Sequence, residues 1–236
     1  MEKKELLYEG KAKKVYTTEN PEQLIVSYKD DATAFDGQKK GTIVGKGAIN
    51  NRMTNHIFKL LEKKGVPTHL VEELNDRETV VKKVEIVPLE VIIRNFSAGS
   101  FAKKLGMEEG IKLACPTLEF SYKNDDLHDP FINSYYALAL KLATQEEIDV
   151  ITKYAFVVND VMQEYFAGLG IELIDFKIEF GRLSDGTVIL ADEVSPDTCR
   201  LWDKETHEKL DKDRFRRDLG NVEDAYQEVF RRLGIQ

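Results

Sequence analysis

Residues 171–193 read IELIDFKIEFGRLSDGTVILADE, and the fold turns on how this stretch pairs. Ile174, Phe176, Ile178 and Phe180 share one parity; Asp175, Lys177 and Glu179 share the other. A strand sends successive side chains to opposite faces, so one face is apolar and the other carries carboxylate, ammonium, carboxylate. Ser184-Asp185-Gly186-Thr187 separates two β-favouring runs, and Asp-Gly is a strong hairpin signal. A two-residue loop predicts Ser184 opposite Thr187 and Glu179 opposite Asp192. A four-residue loop keeps that register, and a three-residue loop with a bulge breaks it. Like charges directly opposite each other destabilise a sheet unless a cation lies between them. Two readings fit: carboxylates on two strands holding Mg²⁺, with phosphate and water completing its shell, or a solvated face with its charges fanned into water.

The chain has 236 residues, enough for a large core in one domain or two closely packed ones. A hydrophobic content of 42% beside 32% charged residues fits a soluble globular protein. The net charge of −8 argues against general affinity for nucleic acid or for an anionic membrane. The charged start MEKKELLYEG and the lack of a long apolar run predict no signal peptide and no membrane span. Cys115 and Cys199 lie far apart, outside any C-x-x-C spacing, as expected in a reducing cytoplasm. His56, His69, His128 and His207 form no metal-ligand pattern and read as surface or loop residues.

Residues 5–29 read as a hairpin, Leu6 to Tyr16 and Leu24 to Tyr28, turning at Glu19-Asn20-Pro21-Glu22. Asp30 to Gly45 is polar and glycine-bearing, and reads as a mobile loop. The stripe Ile49, Met53, Ile57, Leu60, Leu61 predicts a helix over 46–64, stopped by Gly65 and Pro67. Strands are predicted over 69–74, over 79–95 with a break at Pro88, and over 118–122, with a short helix over 96–106. Thr144 opens a long helix to Gly168 with a capping box to Glu147. SPDTCRLWD reads as a loop, followed by helices over 211–219 and 221–233. Strands first and helices late predict an α+β fold with largely antiparallel sheets. The division expected is a small lobe over 1–87 and a larger α+β lobe over 88–236.

Three further stretches can carry chemistry. In YEGKAKKVY, residues 8–16, Gly10 and Ala12 let backbone approach a polyphosphate, and Lys11, Lys13 and Lys14 bring positive charge. Alone, it reads more readily as a strand with surface lysines. In VPLEVIIRNFSAGS, residues 87–100, Arg94 precedes small residues and Ser100 at a helix start. That suits a phosphate monoester, or else an ordinary helix cap beside a structural ion pair. VSPDTCRLWD, residues 194–203, places Asp197, Arg200, Trp202 and Asp203 just after Asp192, where active-site walls are common. DKDRFRRDL reads as a solvated helical face from which Lys212 or Arg216 can reach a phosphate.

In order and spacing, YEGKAKKVY, VPLEVIIRNFSAGS, KNDDLHDP, LIDFKIEFG and DEVSPDTCRLWD resemble the SAICAR synthetase family over essentially the whole chain. The resemblance implies a kinase-like or ATP-grasp-like nucleotide-binding lobe on a larger α+β lobe. The implied activity is an ATP- and Mg²⁺-dependent ligase of purine biosynthesis, joining carboxyaminoimidazole ribonucleotide (CAIR) to L-aspartate. Its expected partners are these small molecules and a second copy of the chain as a homodimer. Glu179 and Asp192 are then expected to hold Mg²⁺, with Lys177 stabilising charge on the moving phosphoryl group or the CAIR carboxylate. Asp175 is expected on the CAIR ring amine or ribose. Lys11, Lys13, the Ala12 backbone and Lys123 are expected on the ATP phosphates. The main chain around Lys82 and Val84 is expected at the adenine edge, with Val15 and Val26 sandwiching the ring. Arg94, Ser100 and Arg200 are expected to bind CAIR. Basic groups after Asp36 are the candidates for aspartate. A kinase and a non-catalytic nucleotide-binding module are the rivals; the first lacks an H-R-D-like catalytic loop and gives the Arg94–Ser100 site no role.

Overall fold

The structure is a computed structural model that describes residues 1–34 and 37–235, so Asp36 lies outside the described residues. In chain order the elements are β1 (Leu6–Glu9), β2 (Lys13–Thr17), β3 (Gln23–Tyr28), β4 (Asp31–Ala34), β5 (Lys39–Thr42) and α1 (Lys46–Glu62). Next come β6 (Leu70–Asn75), β7 (Glu78–Lys82), β8 (Glu85–Phe96), α2 (Gly99–Leu105), β9 (Lys112–Tyr122), β10 (Phe131–Ile132) and α3 (Ser134–Ala139). The chain continues with α4 (Gln145–Gly168), β11 (Ile171–Arg182), β12 (Val188–Ala191), β13 (Cys199–Asp203), α5 (Asp213–Arg216) and α6 (Val222–Leu233). The smaller antiparallel sheet has the order β1-β2-β3-β7-β6. The larger runs β10-β9-β8-β11-β12, with β13 also on β11. The fold is α+β with antiparallel sheets, as the sequence predicts.

The main core lies between the apolar face of β11 and helices α1 and α4. Leu173, Phe176, Ile178 and Phe180 pack with Met53, Ile57, Phe58, Ile151, Val158, Met162 and Phe166. The long helix starts where predicted: the Thr144 hydroxyl accepts from the Glu147 amide, and the Glu147 carboxylate accepts from the Thr144 amide. A bulge on β11 between Leu173 and Asp175 corrects the simple alternation. It turns Ile174 away from Phe176 into a separate cluster with Ala98 and Trp202.

Several expected elements are rearranged. The first expected strand is folded in two, with β1 antiparallel to β2 around Gly10-Lys11-Ala12. The expected loop after Asp30 contains the β4–β5 hairpin. The strand expected over 79–95 is two strands, β7 in the small sheet and β8 in the large one, joined through Lys83 and Val84. Pro88 instead sits inside β8 near a shift in the β8–β11 pairing between Gly181 and Glu179, a place that tolerates a residue without an N–H. Half of the expected loop SPDTCRLWD is β13.

The hairpin register also differs from the expectation. Glu179 faces Ala191, not Asp192. The Leu183 amide bonds to the Thr187 carbonyl at 2.9 Å, leaving Ser184-Asp185-Gly186 as a three-residue loop with Gly186 left-handed at φ 85°. That is the loop type whose extra residue shifts the pairing by one.

Candidate active site

The charged face of β11 lines two cavities rather than fanning into open water. β8 places Arg94, Ile92 and Glu90 directly opposite Asp175, Lys177 and Glu179. Asp175 and Glu179 are both 3% exposed. Glu179 and Glu90 are therefore the like charges that face each other, and the cation between them is Lys177. Its ammonium lies 2.6 Å from Glu90 Oε1 and 3.3 Å from Glu179 Oε1. Lys123 donates to the same Glu179 oxygen at 2.9 Å. Burial works against the Lys177 charge, but Glu179, Glu90 and Asp192 outweigh it and hold its pKa above the ordinary lysine value.

Asp192 reaches this face by another route. β12 ends at Ala191, and Asp192 takes a left-handed conformation, φ 58°. Its carboxylate accepts from Lys13 Nζ at 2.6 Å. Burial opposes its charge, yet Lys13, Lys177 and Lys123 hold its pKa down to about 2.

A cavity of about 360 Å³ opens between the two sheets and gathers Lys13, Val15, Val26, Lys82, Val84, Lys123, Glu179 and Asp192. These are eight of the residues predicted for nucleotide and metal. Leu24, Val26, Val81 and Val15 make its apolar wall, as a base requires. Gly181 lets the linker between the sheets come this close, because a Cβ there would lie 2.5 Å from Val84 Cγ2. His69, expected at the surface, is buried in this wall. Burial, helped by Lys13, holds its pKa down to about 3, so it is neutral there. Lys11 and Ala12 lie apart. Lys11 pairs with Asp125 at 3.0 Å beside a neighbouring cavity of about 610 Å³ that also holds Lys29 and Lys40. The Ala12 carbonyl accepts from the Lys29 amide at 2.8 Å. The hairpin tip around Gly10 thus stands at the cavity's edge.

On the other side of Lys177 a cavity of about 120 Å³ collects Arg94, Asp175, Lys177, Asp197, Thr198, Arg200 and Arg216. It adjoins one of about 410 Å³ bearing Ser100, Lys103, Arg200, Arg216 and Arg217 beside Glu109 and Asp213, a lining with cations in excess that suits a phosphate monoester. Arg94 is not the free fork expected. Its guanidinium donates to Asp175 at 2.7 Å and to Glu119 at 2.6 Å, and only at 3.3 Å to the Ser100 hydroxyl. Arg200 bonds Asp175 at 2.9 Å and Asp213 at 2.8 Å. Gly99, φ +54°, leaves room for Arg200, since a Cβ would lie 2.4 Å from Nη2.

Sequence reasoning singled out Asp197 and Lys212 but missed Lys46, Tyr226 and the cluster they form together behind this wall. The Asp197 carboxylate accepts from Lys46 at 2.9 Å, from Lys212 at 3.3 Å and from the Tyr226 hydroxyl. Lys46 is fully buried, and Asp211, Asp213 and Arg214 are buried too, so DKDRFRRDL is not a solvated face. The signal available was a lysine at the first position of an otherwise apolar helix stripe.

Glu179 and Asp192 fit a divalent cation by their chemistry. Both present carboxylate oxygens to one cavity, and Mg²⁺ commonly takes one or two protein carboxylates and completes its shell with phosphate and water. Among the described residues no group of three or more His, Cys, Asp or Glu side chains is arranged to hold a metal without such help.

The sequence profile of the SAICAR synthetase family matches residues 6–233. The chain belongs to the SAICAR synthetase family. A relative from Lachnoclostridium phytofermentans, phosphoribosylaminoimidazole-succinocarboxamide synthase, is 76% identical over the full length of both chains. The solved structure of phosphoribosylaminoimidazole-succinocarboxamide synthase from Ehrlichia chaffeensis is 43% identical, with a TM-score of 0.96 covering 98% of this chain and 99% of that one. A SAICAR synthetase solved in complex with ADP is 47% identical, with a TM-score of 0.92 over 95% of this chain and 96% of that chain. Among the described residues no helix is long and apolar enough to cross a membrane.

Proposed function

We propose that this SAICAR synthetase family member joins the carboxylate of CAIR to the amine of L-aspartate with ATP, giving SAICAR, ADP and phosphate in purine biosynthesis. The observation that carries the reading is the position of Lys177. Its side chain walls the cavity with Asp175 and Arg200, while its hydrogen-bond partner Glu179 walls the nucleotide cavity. The two substrates thus meet at one ammonium.

A carboxylate resists attack by an amine because it has no good leaving group. A CAIR carboxylate oxygen bonds to the γ-phosphorus as the bond to ADP breaks. The amine nitrogen then bonds to the acyl carbon as the carbon–oxygen bond to phosphate breaks, and the nitrogen gives up a proton. Both steps require the reacting atoms in line and their charge neutralised. Lys13 and Lys123 bind the ATP phosphates, Val15 and Val26 enclose the base, and Lys82 and Val84 line its edge. Lys177 holds the CAIR carboxylate against the γ-phosphate, kept protonated by Glu90 and Glu179. Asp175, fixed by Arg94 and Arg200, accepts from the CAIR amine, and Ser100 with Arg200 holds the phosphate end. Glu179 and Asp192 would hold Mg²⁺, which would supply charge neutralisation on the ATP phosphates. Lys11 and the Ala12 backbone reach the phosphates if the hairpin tip folds inward. Residues 1–87 serve as the ATP lobe and 88–236 as the CAIR lobe; a cytoplasmic location and a homodimer complete the reading.

The test is coupled ADP release with ATP, Mg²⁺ and CAIR, with and without L-aspartate. Aspartate-dependent release with an amide product supports the ligase. Release to a hydroxyl acceptor instead, or tight nucleotide binding without turnover, overturns it.

A further inference from the structure

Two carboxylates that are neighbours in sequence share the ammonium of Lys13: Asp192 at 2.6 Å and Glu193 at 2.9 Å. They differ in every other respect. The Asp192 side chain is 27% exposed and lines the nucleotide cavity, whereas that of Glu193 is 5% exposed. Glu193 Oε2 accepts from the Ser195 hydroxyl at 2.6 Å, so both its oxygens are bonded. Ser195 Oγ in turn accepts from the Asp197 amide at 3.1 Å, and the Ser195 carbonyl accepts from the amides of Thr198 and Cys199. The Thr198 carbonyl accepts from the Lys177 amide at 2.8 Å. A continuous chain of bonds therefore runs from Lys13 to the turn that walls the second cavity.

We propose that Glu193 is a positioning residue: it keeps Lys13 over the nucleotide phosphates when Asp192 is drawn onto the divalent cation. The inference rests on the assignment of Lys13 to the phosphates made above. One ammonium needs one carboxylate for charge balance, so the pair leaves one to spare. A dication arriving beside Glu179 competes for Asp192, the carboxylate that faces the cavity. Glu193 stays behind, fixed through Ser195. Lysine is a compact charge on a flexible stem, and without a second anchor Lys13 loses its place once Asp192 turns away. The Tyr28 ring, 5.1 Å from Nζ, guides the stem but bears no formal charge to replace the anchor.

This division of labour makes the effect of Glu193 depend on the metal. The experiment is calorimetric titration of ADP, with and without Mg²⁺, into the full chain and its Glu193→Gln, Lys13→Met and double variants. Glutamine keeps the shape and an acceptor for Ser195. Glu193→Asp, charged but one carbon shorter, is the second variant should the first fold poorly. Glu193→Gln is expected to lose about tenfold in affinity for ADP with Mg²⁺, the size of one charge-assisted bond, and less than about threefold without it. Glu193→Asp shows the same selective loss in smaller measure. The double variant binds no worse than Lys13→Met alone, because the two residues act as one unit. Equal losses with and without Mg²⁺, or no loss while Lys13→Met binds weakly, overturn the role of Glu193 and leave the Lys13 assignment standing. Unchanged ADP binding in Lys13→Met overturns that assignment and the inference with it.

Discussion

Glu90 and Glu179 face each other across β8 and β11, and the Lys177 ammonium lies between them, within 3.3 Å of both. The arrangement settles how a central strand tolerates adjacent buried carboxylates: the compensating cation is supplied by the same strand. It also ties Glu179 to both proposed substrates, through Lys123 on the ATP phosphates and Lys177 on the CAIR carboxylate.

Removing that charge tests the centre. Glu179→Gln preserves the size of the side chain and is expected to lower kcat by at least about a hundredfold. Its far-ultraviolet circular dichroism should match that of the parent. Near-parental turnover at saturating Mg²⁺ would show that Glu179 neither holds the metal nor orders the lysines.

Ser100 and Arg94 separate binding from stability. Ser100→Ala is expected to raise KM for CAIR about tenfold with little change in Tm, since the hydroxyl contributes a single bond at an open site. Arg94→Met leaves the Glu119 carboxylate without its guanidinium and Asp175 with Arg200 alone, and is expected to destabilise the fold by about 3 kcal/mol. Thermal unfolding beside steady-state kinetics distinguishes the two. A lowered Tm in Ser100→Ala would contradict the assignment.

Gly181 controls the linker between the sheets. Its replacement by alanine forces Val84 outward, and KM for ATP is expected to rise about tenfold while KM for CAIR stays within about twofold. Equal changes in both would mean that the linker positions more than the nucleotide wall.

Asp30 gives the fold an acid limit. Its carboxylate accepts from the Gly45 and Gly47 amides at the start of α1, a helix whose own cap residue, Gly45, offers no side chain. The Arg77 guanidinium, joined by those amides and opposed by partial burial, holds the Asp30 pKa down to about 2 against an ordinary 3.8. A depressed carboxyl pKa stabilises the folded state fully above the unfolded value, and the contribution is lost as pH falls through about 2. After solvent screening it amounts to about 1 kcal/mol. Asp30→Asn should therefore lower the urea midpoint at pH 5 and narrow the gap to the parent at pH 2.5. A gap that persists undiminished would exclude the charge as its source.

The larger sheet and the long helices were legible because burial imposes periodicity: the Thr144 capping box and the Ile49–Leu61 stripe needed no tertiary information. The wrong hairpin register came from loop chemistry. Asp-Gly serves both two-residue and three-residue loops, and only the conformation of Gly186 decides between them. The assignment of Val15, Val26, Lys82 and Val84 to the nucleotide came from the family resemblance alone, since valines in strands look like any core. Lys46, Glu193 and Tyr226 escaped notice because their partners lie in distant segments. The one local mark of the buried Lys46 is its place on the apolar stripe, and nothing there names the carboxylate that neutralises it 151 residues away.

That separation has a consequence for how the protein is made. Asp197 draws together the start of α1, the α5 segment through Lys212 and helix α6 through Tyr226. Bonds between such remote segments close only after the chain between them has collapsed, and during synthesis Tyr226 leaves the ribosome late. Until then Lys46 and Asp197 lack the helix that covers them. The apolar wall from β2, β3 and β7 can form early on the nascent chain, whereas Lys123, Glu179 and Asp192 join it only once the larger sheet has been made.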